Sequence, residues 1–289
     1  MTTTEEQTVT YAGAPTRRVT AETGIEYAYR DLGGGDVPLV LLQHFRGNLD
    51  NWDPALVDAL AAQRRVIAFD NVGVAATTGT TPSTIEAMAR DAIVFIDALK
   101  LRRVDLLGFS IGSFVAQEIA LIRPDLLRRV VLASCAPQGA PGMHGWAPEV
   151  IAAVGQPETS PEGYSSVFFA PTETSREAGR QVIGRIFGAR TIDRDVPTTW
   201  QTRQAQYDAV YTWGIPNHSL LQRVAAIELP VLVANGDGDP MILPRYSYLL
   251  AGLLPDARLT IYPDSGHGFL FQHHERFAAD VKAFLREAE

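Results

Sequence analysis

A serine with glycine two positions away on either side lies in the segment Gly108-Phe109-Ser110-Ile111-Gly112. An apolar run, residues 104–107, precedes this segment, and residues 114–120 favour a helix, so the serine is predicted at a turn between a strand and a helix. Small residues at these two positions let the backbone turn sharply and project the hydroxyl clear of the sheet. The spacing is typical of a nucleophilic serine.

A nucleophilic serine also requires a histidine base and a carboxylate that orients it. In sites built on such a turn, the carboxylate and then the histidine follow the serine along the chain, near the ends of later strands. Residues 230–234 form an apolar run that is followed at once by two candidate carboxylates, Asp237 and Asp239. Residues 258–262 form the next run, and His267 lies in the loop after it. Ser110, one of these aspartates and His267 are therefore the candidate catalytic residues.

Other residues with reactive side chains have simpler interpretations. His44 lies in a loop directly after a predicted strand, where a hydrogen bond that fixes the loop is the favoured role. His273 and His274 lack a third ligand at any recognised metal spacing, so no metal site is predicted. Cys135 ends an apolar run with no neighbouring motif and is interpreted as a buried, unreactive thiol. No cofactor is required.

Apolar runs that alternate with helical patterns predict an α/β fold with a doubly wound, mostly parallel sheet. The predicted buried strands are Val37–Gln43, Arg65–Asp70, Val104–Gly108, Arg129–Ser134, Pro230–Ala234 and Arg258–Tyr262. Before them, Arg18–Tyr29 alternates between polar and apolar residues. The glycine-rich segment Asp31–Asp36 that follows is interpreted as a hairpin-type connection.

Two helices are predicted to cover the sheet. The first has one apolar face, formed by Ile85, Met88, Ala89, Ala92, Ile93, Ile96 and Leu99. The second is the final helix, Glu275–Ala288.

The interval between Cys135 and Pro230 is about three times the roughly 30 residues that a strand-helix-strand unit needs. It contains helical segments around Pro148–Val154, Arg176–Ala189, Trp200–Trp213 and Ser219–Ala226. Residues 137–227 are therefore predicted to form an inserted helical cap, and residues 1–136 and 228–289 the core domain.

Composition and net charge argue against some binding partners and indicate a cellular location. The 289 residues are 46% hydrophobic and 20% charged, with a net charge of −8, so nucleic acid is not an expected partner. No apolar stretch of about 18 residues is present, so no membrane partner is expected either. The segment Met1–Thr10 is expected to be a polar arm rather than a signal peptide. A single cysteine fits a reducing compartment, and a cytoplasmic location is expected.

These motifs resemble those of the α/β-hydrolase fold superfamily, in its capped branch of enol-lactonases, cofactor-free haloperoxidases and small-molecule esterases. The resemblance extends over nearly all of the chain after about residue 20. In that family a Gly-x-x-Asp pattern typically follows the acid strand, and here it is Gly236–Asp239. This match selects Asp239 over Asp237. The family's histidine commonly lies in a Gly-His pair, here Gly266-His267, so the resemblance implies a triad of Ser110, Asp239 and His267.

The resemblance also implies an oxyanion hole made of two backbone N–H groups. One belongs to Ile111, which follows the nucleophile at the positive end of a new helix. The other comes from the loop after the third strand, which usually reads His-Gly-x in the family but reads Gln43-His44-Phe45 here. Alignment on Trp52, a family landmark, places Phe45 at the donor position. Two further departures are Val72, where relatives often have arginine, and Ser113, where glycine is usual.

The expected function is hydrolysis of a small-molecule ester or lactone through an acyl-enzyme on Ser110. Carbon-carbon bond hydrolysis or perhydrolysis with the same triad is an alternative, as is a non-catalytic protein that binds a small ligand on this scaffold. The cap is rich in aromatic residues (Trp146, Phe168, Phe169, Trp200, Tyr207, Tyr211 and Trp213), so an apolar or aromatic substrate is expected. A homodimer is left open.

Overall fold

The computed structural model describes residues 9–156 and 160–286. Most of the predicted polar arm Met1–Thr10, and the predicted end of the last helix at Ala288, lie outside these residues. The described residues form a sheet of eight strands: β1 (Arg17–Thr20), β2 (Glu26–Leu32), β3 (Leu39–Leu42), β4 (Val66–Phe69), β5 (Val104–Phe109), β6 (Leu127–Ala133), β7 (Val231–Gly236) and β8 (Ala257–Tyr262).

The strand order across the sheet is β1-β2-β4-β3-β5-β6-β7-β8. From β4 to β8 all neighbouring strands are parallel, whereas β1 and β2 run antiparallel at one edge. Strands β3, β4, β5 and β7 are buried along their whole length. Helices cover both faces of a sheet of this kind, which explains why these strands are largely apolar. The predicted α/β class and mostly parallel sheet are confirmed.

The hairpin interpretation of Asp31–Asp36 is wrong. This segment joins β2 to β3, but β2 pairs with β4, and β4 lies between the two strands that the segment connects. Gly33 allows a close approach of two backbone segments instead, since a Cβ atom on it would lie 2.1 Å from the Arg64 carbonyl oxygen. The hairpin that does form joins β1 to β2, where the Ala21 N–H donates to the Ile25 carbonyl at 2.9 Å.

Helices of the core pack against the sheet and follow its strands. They are α1 (Pro54–Ala61), α2 (Ile85–Ala98) and α3 (Ile111–Ile122), with α9 (Pro244–Leu253), α10 (Phe269–Gln272) and α11 (His274–Arg286) nearer the C-terminus. The predicted apolar face of α2 is buried from Ile85 to Ile96, and α2 packs beside α3. Leu99 caps the end of α2 and is half-buried.

Five helices lie between β6 and β7, in the interval predicted to form the cap. They are α4 (Pro148–Val154), α5 (Pro161–Phe168), α6 (Glu173–Gly188), α7 (Trp200–Trp213) and α8 (His218–Gln222), and the described part of the interval adds a short 3-10 turn, Arg223–Ala226. Sequence patterning did not predict α5. An ion pair ties α6 to the core, because the Arg185 guanidinium donates to both carboxylate oxygens of buried Asp53, at 2.8 and 2.6 Å.

The length and apolar character of the helices decide whether any of them could span a membrane. None of the helices within the described ranges combines the length and apolar character needed to cross a bilayer.

Candidate active site

Ser110 lies in the sharp turn between β5 and α3. Its backbone angles are φ 57° and ψ −121°, a left-handed conformation that costs a non-glycine residue about 1–3 kcal/mol. The neighbouring strand holds the turn in place, because the Ser110 N–H donates to the Ala133 carbonyl at 2.9 Å. The carbonyl of Ser110 accepts from the Ser113 N–H at 2.8 Å and from the Ser113 hydroxyl at 2.5 Å.

The two flanking glycines allow the backbone segments around Ser110 to approach one another. A Cβ atom on Gly108 would lie 2.3 Å from the Gly112 carbonyl oxygen. On Gly112 it would lie 2.1 Å from the Leu42 carbonyl oxygen, at the end of the neighbouring strand β3. Both distances are far below van der Waals contact, so the turn requires glycine at each position. This is the physical reason for the spacing seen in the sequence.

Asp239 and His267 form a buried hydrogen-bonded pair at the ends of β7 and β8. His267 Nδ1 lies 2.8 Å from Asp239 Oδ2, and each residue is about 1% exposed. The other carboxylate oxygen of Asp239 accepts from the N–H groups of Met241 and Ile242, at 2.8 and 2.9 Å. With both oxygens engaged, the carboxylate is fixed in direction and can hold one tautomer of the imidazole.

Asp237, the other candidate carboxylate, binds loop backbone and not the imidazole. Its oxygens accept from the backbone N–H groups of Asp264 and Ser265, at 3.0 and 3.2 Å. These bonds tie the loop after β7 to the loop that carries His267. The geometry therefore pairs Asp239, and not Asp237, with the histidine.

The loop of His267 is hydrogen-bonded to the main chain of helix α5, in the interval between β6 and β7. The His267 N–H donates to the Val167 carbonyl at 3.0 Å, and the Gly268 N–H donates to the Phe168 carbonyl at 2.9 Å. The rings of Phe109 and Phe168 lie 5.1 and 5.4 Å from the imidazole, centroid to centroid. The position of the histidine thus depends on both the core and the inserted helices.

Ser110 and His267 line the same cavity. Within the described ranges, the Ser110 hydroxyl has no hydrogen-bond partner. Hydrogen bonds between a nucleophile and its base are often long before a substrate binds and shorten in the reactive complex.

The Phe45 N–H group, in the loop after β3, is free among the residues that the structure describes. The neighbouring N–H groups are all engaged: His44 donates to Gln43 Oε1 at 2.9 Å, Arg46 to Gln206 Oε1 at 2.7 Å, and Gly47 to the His44 carbonyl at 3.0 Å. No acceptor for the Phe45 N–H occurs among the residues that the structure describes, and Phe45 lines the cavity beside Ser110. A free N–H group therefore lies at the position that alignment on Trp52 selects.

His44 fixes this loop, as its position in the sequence predicts. Its Nδ1 atom lies 2.9 Å from the Phe45 carbonyl oxygen, to which the neutral ring donates. Burial, opposed by that hydrogen bond and reinforced by nearby His267, lowers the pKa of His44 to about 4. The ring is therefore neutral at pH 7, and it packs edge-on against Phe109 and Phe168.

The cavity above Ser110 has a volume of about 740 Å³ and lies between the core and the inserted helices. Most of its apolar wall comes from the insertion. Its apolar lining consists of Phe45, Val154, Pro161, Tyr164, Phe168, Ile183, Phe187, Pro197, Trp200 and Met241. A site of this size and character suits a small apolar or aromatic molecule.

The sequence indicated that the inserted interval is rich in aromatic residues but not which of them line the cavity. Of those residues, Phe168 and Trp200 line the cavity, whereas Trp213 stacks on Phe114 in the core. Tyr164 and Phe187 line it without having been singled out. Apolar residues on one face of a helix would have been the signal, but periodicity does not say which helix faces a cavity.

The cavity also has a polar corner, which the sequence did not predict. Asp50, Arg194 and Asp195 lie there. The Asp50 carboxylate accepts from Arg30 at 2.6 Å and from the Asp195 N–H at 2.8 Å. Burial, together with the nearby charge of Asp50, raises the pKa of Asp195 above its ordinary value.

Comparison with known proteins places this geometry in a family. The family model of the alpha/beta hydrolase fold matches residues 37–274. The chain belongs to the α/β-hydrolase family. Among solved structures, an alpha/beta hydrolase fold protein from Chitinophaga pinensis has a TM-score of 0.90 at 41% identity, covering 96% of this chain and all of the other. This hydrolase also has relatives that carry hydrolase names, and it is an enzyme of the hydrolase class.

Two further similarities concern a curated relative and a solved structure. A putative non-heme bromoperoxidase from Mycobacterium tuberculosis is 30% identical over 276 residues, which cover 90% of this hydrolase and 100% of the relative. The enol-lactonase from Burkholderia xenovorans LB400 has a TM-score of 0.75 at 22% identity, covering 94% of this hydrolase and 100% of that chain. The second similarity concerns the fold alone.

The departure at Ser113 has a structural explanation in this hydrolase. The Ser113 hydroxyl donates to the Ser110 carbonyl, and Ser113 is fully buried in the first turn of α3. A glycine could not make this bond. Val72 is buried, but nothing in the structure explains why it stands where relatives often have arginine.

Proposed function

We propose that this chain is a serine hydrolase that cleaves a small-molecule ester or lactone through an acyl-enzyme on Ser110. The observation that carries the proposal is the buried Asp239–His267 pair, at 2.8 Å, beside a cavity that Ser110 also lines. A buried carboxylate that orients a histidine beside a serine in a strained turn is the arrangement that acyl transfer requires.

In the proposed first step, His267 Nε2 takes the proton of the Ser110 hydroxyl while Oγ attacks the substrate carbonyl carbon. The carbonyl π electrons move to its oxygen and form a tetrahedral oxyanion. The intermediate collapses as the bond to the leaving oxygen breaks and His267 gives the proton to that oxygen. Water then attacks the acyl-enzyme with His267 as base, which releases the acid and restores Ser110.

The N–H groups of Phe45 and Ile111 are the proposed donors to the oxyanion. Ile111 is the first residue of α3, so its N–H has no partner within the helix, and the helix dipole favours negative charge there. Each donor of this kind is typically worth about 3 kcal/mol in the transition state. The acyl or alcohol part of the substrate would pack against the aromatic wall of the cavity.

A second candidate is perhydrolysis, in which hydrogen peroxide replaces water in the release of the acyl group. The 30% identity to a putative bromoperoxidase, a name that denotes peroxide chemistry, favours it. The two reactions share the acyl-enzyme and differ only in the second nucleophile, so the peracid yield in the presence of peroxide separates them. Cleavage of a β-diketone would identify carbon-carbon bond chemistry instead.

The deciding experiment follows nitrophenolate release from a short-chain nitrophenyl ester by the wild type and by Ser110→Ala. Turnover should fall by at least about 10³-fold in the variant. Ser219→Ala, which changes an exposed serine in α8, is the matched control and should keep wild-type turnover. Equal turnover by wild type and Ser110→Ala would refute the proposed nucleophile. No turnover and no labelling of Ser110 by an organophosphonate would favour the non-catalytic binding protein.

A further inference from the structure

The inserted helices hold the loop that carries the Phe45 N–H, through contacts that the mechanism above does not use. Gln206, on α7, accepts through Oε1 from the Arg46 N–H at 2.7 Å. Thr198, just before α7, donates through its hydroxyl to the Arg46 carbonyl at 2.5 Å. Arg46 directly follows Phe45, so the insertion binds both the N–H and the carbonyl oxygen of the residue next to the proposed oxyanion donor.

The backbone of Arg46 needs such support. Its φ is 63°, in the left-handed region, where a non-glycine residue is strained by about 1–3 kcal/mol and persists only if its surroundings enforce the conformation. The peptide unit that joins Phe45 to Arg46 is held at both ends. His44 donates to its carbonyl oxygen at 2.9 Å, and Gln206 accepts from its N–H. Rotation of this unit would redirect the Phe45 backbone.

Gln206 itself is placed to act on the loop and not on a substrate. It is fully buried, and it does not line the cavity above Ser110. Its Nε2 atom has no hydrogen-bond partner among the described residues. An unsatisfied buried amide group costs about 1–3 kcal/mol, so stability alone gives no reason for a glutamine at this position.

We propose that Gln206 is a positioning residue for the oxyanion hole. Through its hydrogen bond with the Arg46 N–H, Gln206 fixes the direction of the Phe45 N–H, and Thr198 makes the second hydrogen bond to the Arg46 backbone. The inference rests on the proposed function, because it assigns the Phe45 N–H to the oxyanion. It also gives the helical insertion a second role besides enclosing the cavity: part of the catalytic geometry is completed by a helix that contributes no reacting group.

Loss of a positioning residue has a distinct kinetic signature. The oxyanion exists only in the transition state and in the tetrahedral intermediates, so a misdirected donor weakens binding of those species and not of the ground-state ester. Small misplacements of catalytic groups cost up to about 100-fold in rate. The effect is therefore expected in kcat and in the affinity for tetrahedral adducts.

The test replaces Gln206 by methionine, which has similar length and volume but no acceptor for the Arg46 N–H. With the nitrophenyl ester, Gln206→Met should lower kcat by about 10- to 100-fold and leave KM within about threefold. Inhibition by an alkyl boronic acid, which forms a tetrahedral adduct on Ser110, should weaken by a factor similar to the loss in kcat. Thr198→Val, which removes the second hydrogen bond, should change kcat and boronic acid affinity in the same direction.

Ser175→Ala is the matched control. It removes a part-buried hydrogen bond between the insertion and the core, from the Ser175 hydroxyl to Gln272 Oε1 at 2.7 Å, together with the bond that this hydroxyl accepts from the Ala170 N–H at 2.8 Å, and it leaves the Phe45 loop untouched. It should keep kcat and boronic acid affinity. The proposal is overturned if Gln206→Met keeps wild-type kcat and boronic acid affinity, or if Ser175→Ala loses as much of both. Should Gln206→Met fail to fold, Thr198→Val decides by the same two measurements.

The outcome for Ser110→Ala separates this inference from the proposed function. If Ser110→Ala keeps its turnover, the proposed nucleophile fails, whatever Gln206→Met does. If Ser110→Ala is inactive and Gln206→Met retains full activity, only the role of Gln206 fails.

Discussion

The Nδ1 atom of His267 lies 2.8 Å from the Oδ2 atom of Asp239, in a part of the molecule where both side chains are almost wholly buried. The second oxygen of Asp239 is bound by two backbone N–H groups. The carboxylate therefore has one oxygen committed to the loop and one committed to the imidazole. This division orients the ring of His267 and leaves its Nε2 for the serine.

Asp239→Asn should remove the charge and allow the wrong imidazole tautomer. We expect kcat for a nitrophenyl ester to fall by about 10²- to 10⁴-fold, with little change in the fold. Asp237→Asn is the matched control two residues away, since its amide oxygen can still accept from the backbone of the histidine loop. Similar losses in the two variants would contradict the assignment of Asp239 as the orienting acid.

Gly112→Ala should damage the turn that carries Ser110. The added methyl group would lie 2.1 Å from the Leu42 carbonyl oxygen, so strands and helix must separate, at a cost of about 1–3 kcal/mol or more. Urea denaturation should show a loss of stability, and ester hydrolysis should show a loss of activity. In Gly184→Ala, on the exposed face of α6, the methyl group meets no atom within 4 Å, and a gain of about 0.5–1 kcal/mol is expected. Equal stabilities would rule out the steric explanation.

Arg185→Met should weaken attachment of the insertion to the core. The variant leaves the Asp53 carboxylate, which is fully buried, without its charged partner. Arg185 is itself about one-third exposed, so water screens part of the loss, and a destabilisation of about 1–3 kcal/mol is expected. Arg180→Met, on the same helix, breaks only exposed ion pairs and should leave the unfolding free energy almost unchanged. A destabilisation by Arg180→Met as large as that by Arg185→Met would contradict this account.

Stability should depend on pH through His44. Its pKa is lowered to about 4 in the folded protein, from 6.5 when unfolded, so between these values the unfolded chain binds more protons and acidification favours unfolding. The contribution of His44 to the unfolding free energy should fall by about 3 kcal/mol as the pH drops from about 7.5 to 4. At higher pH this contribution is constant.

The check is urea denaturation across this pH range for the wild type and His44→Asn. Asparagine does not titrate, and its side-chain N–H₂ can still donate to the Phe45 carbonyl. The variant should therefore lose less stability than the wild type on acidification. Parallel pH profiles for the two proteins would show that His44 does not titrate as described.

Local patterns in the sequence were sufficient for the six parallel strands and for the turn at Ser110. Buried parallel strands need continuous apolar runs, and the turn needs glycine at 108 and 112 because other backbone atoms lie against them. The apolar runs reflect burial within one element, and the two glycines are recognisable by their spacing around Ser110, although the backbone atom that excludes a Cβ on Gly112 belongs to Leu42 in β3. The segment Asp31–Asp36 shows the limit, since its glycines identified a turn but not which strands would pair.

The contacts that only the tertiary structure decided join residues that lie far apart in the chain. The choice between Asp237 and Asp239 depends on which carboxylate reaches His267, and sequence spacing left both open until a family pattern was invoked. The contact of Gln206 with Arg46 spans 160 positions, and no periodicity within α7 indicates it. Hydrogen bonds between distant segments depend on how helices pack over a sheet. The sequence by itself therefore determined the fold class and the reactive residue types, and packing decided their partners.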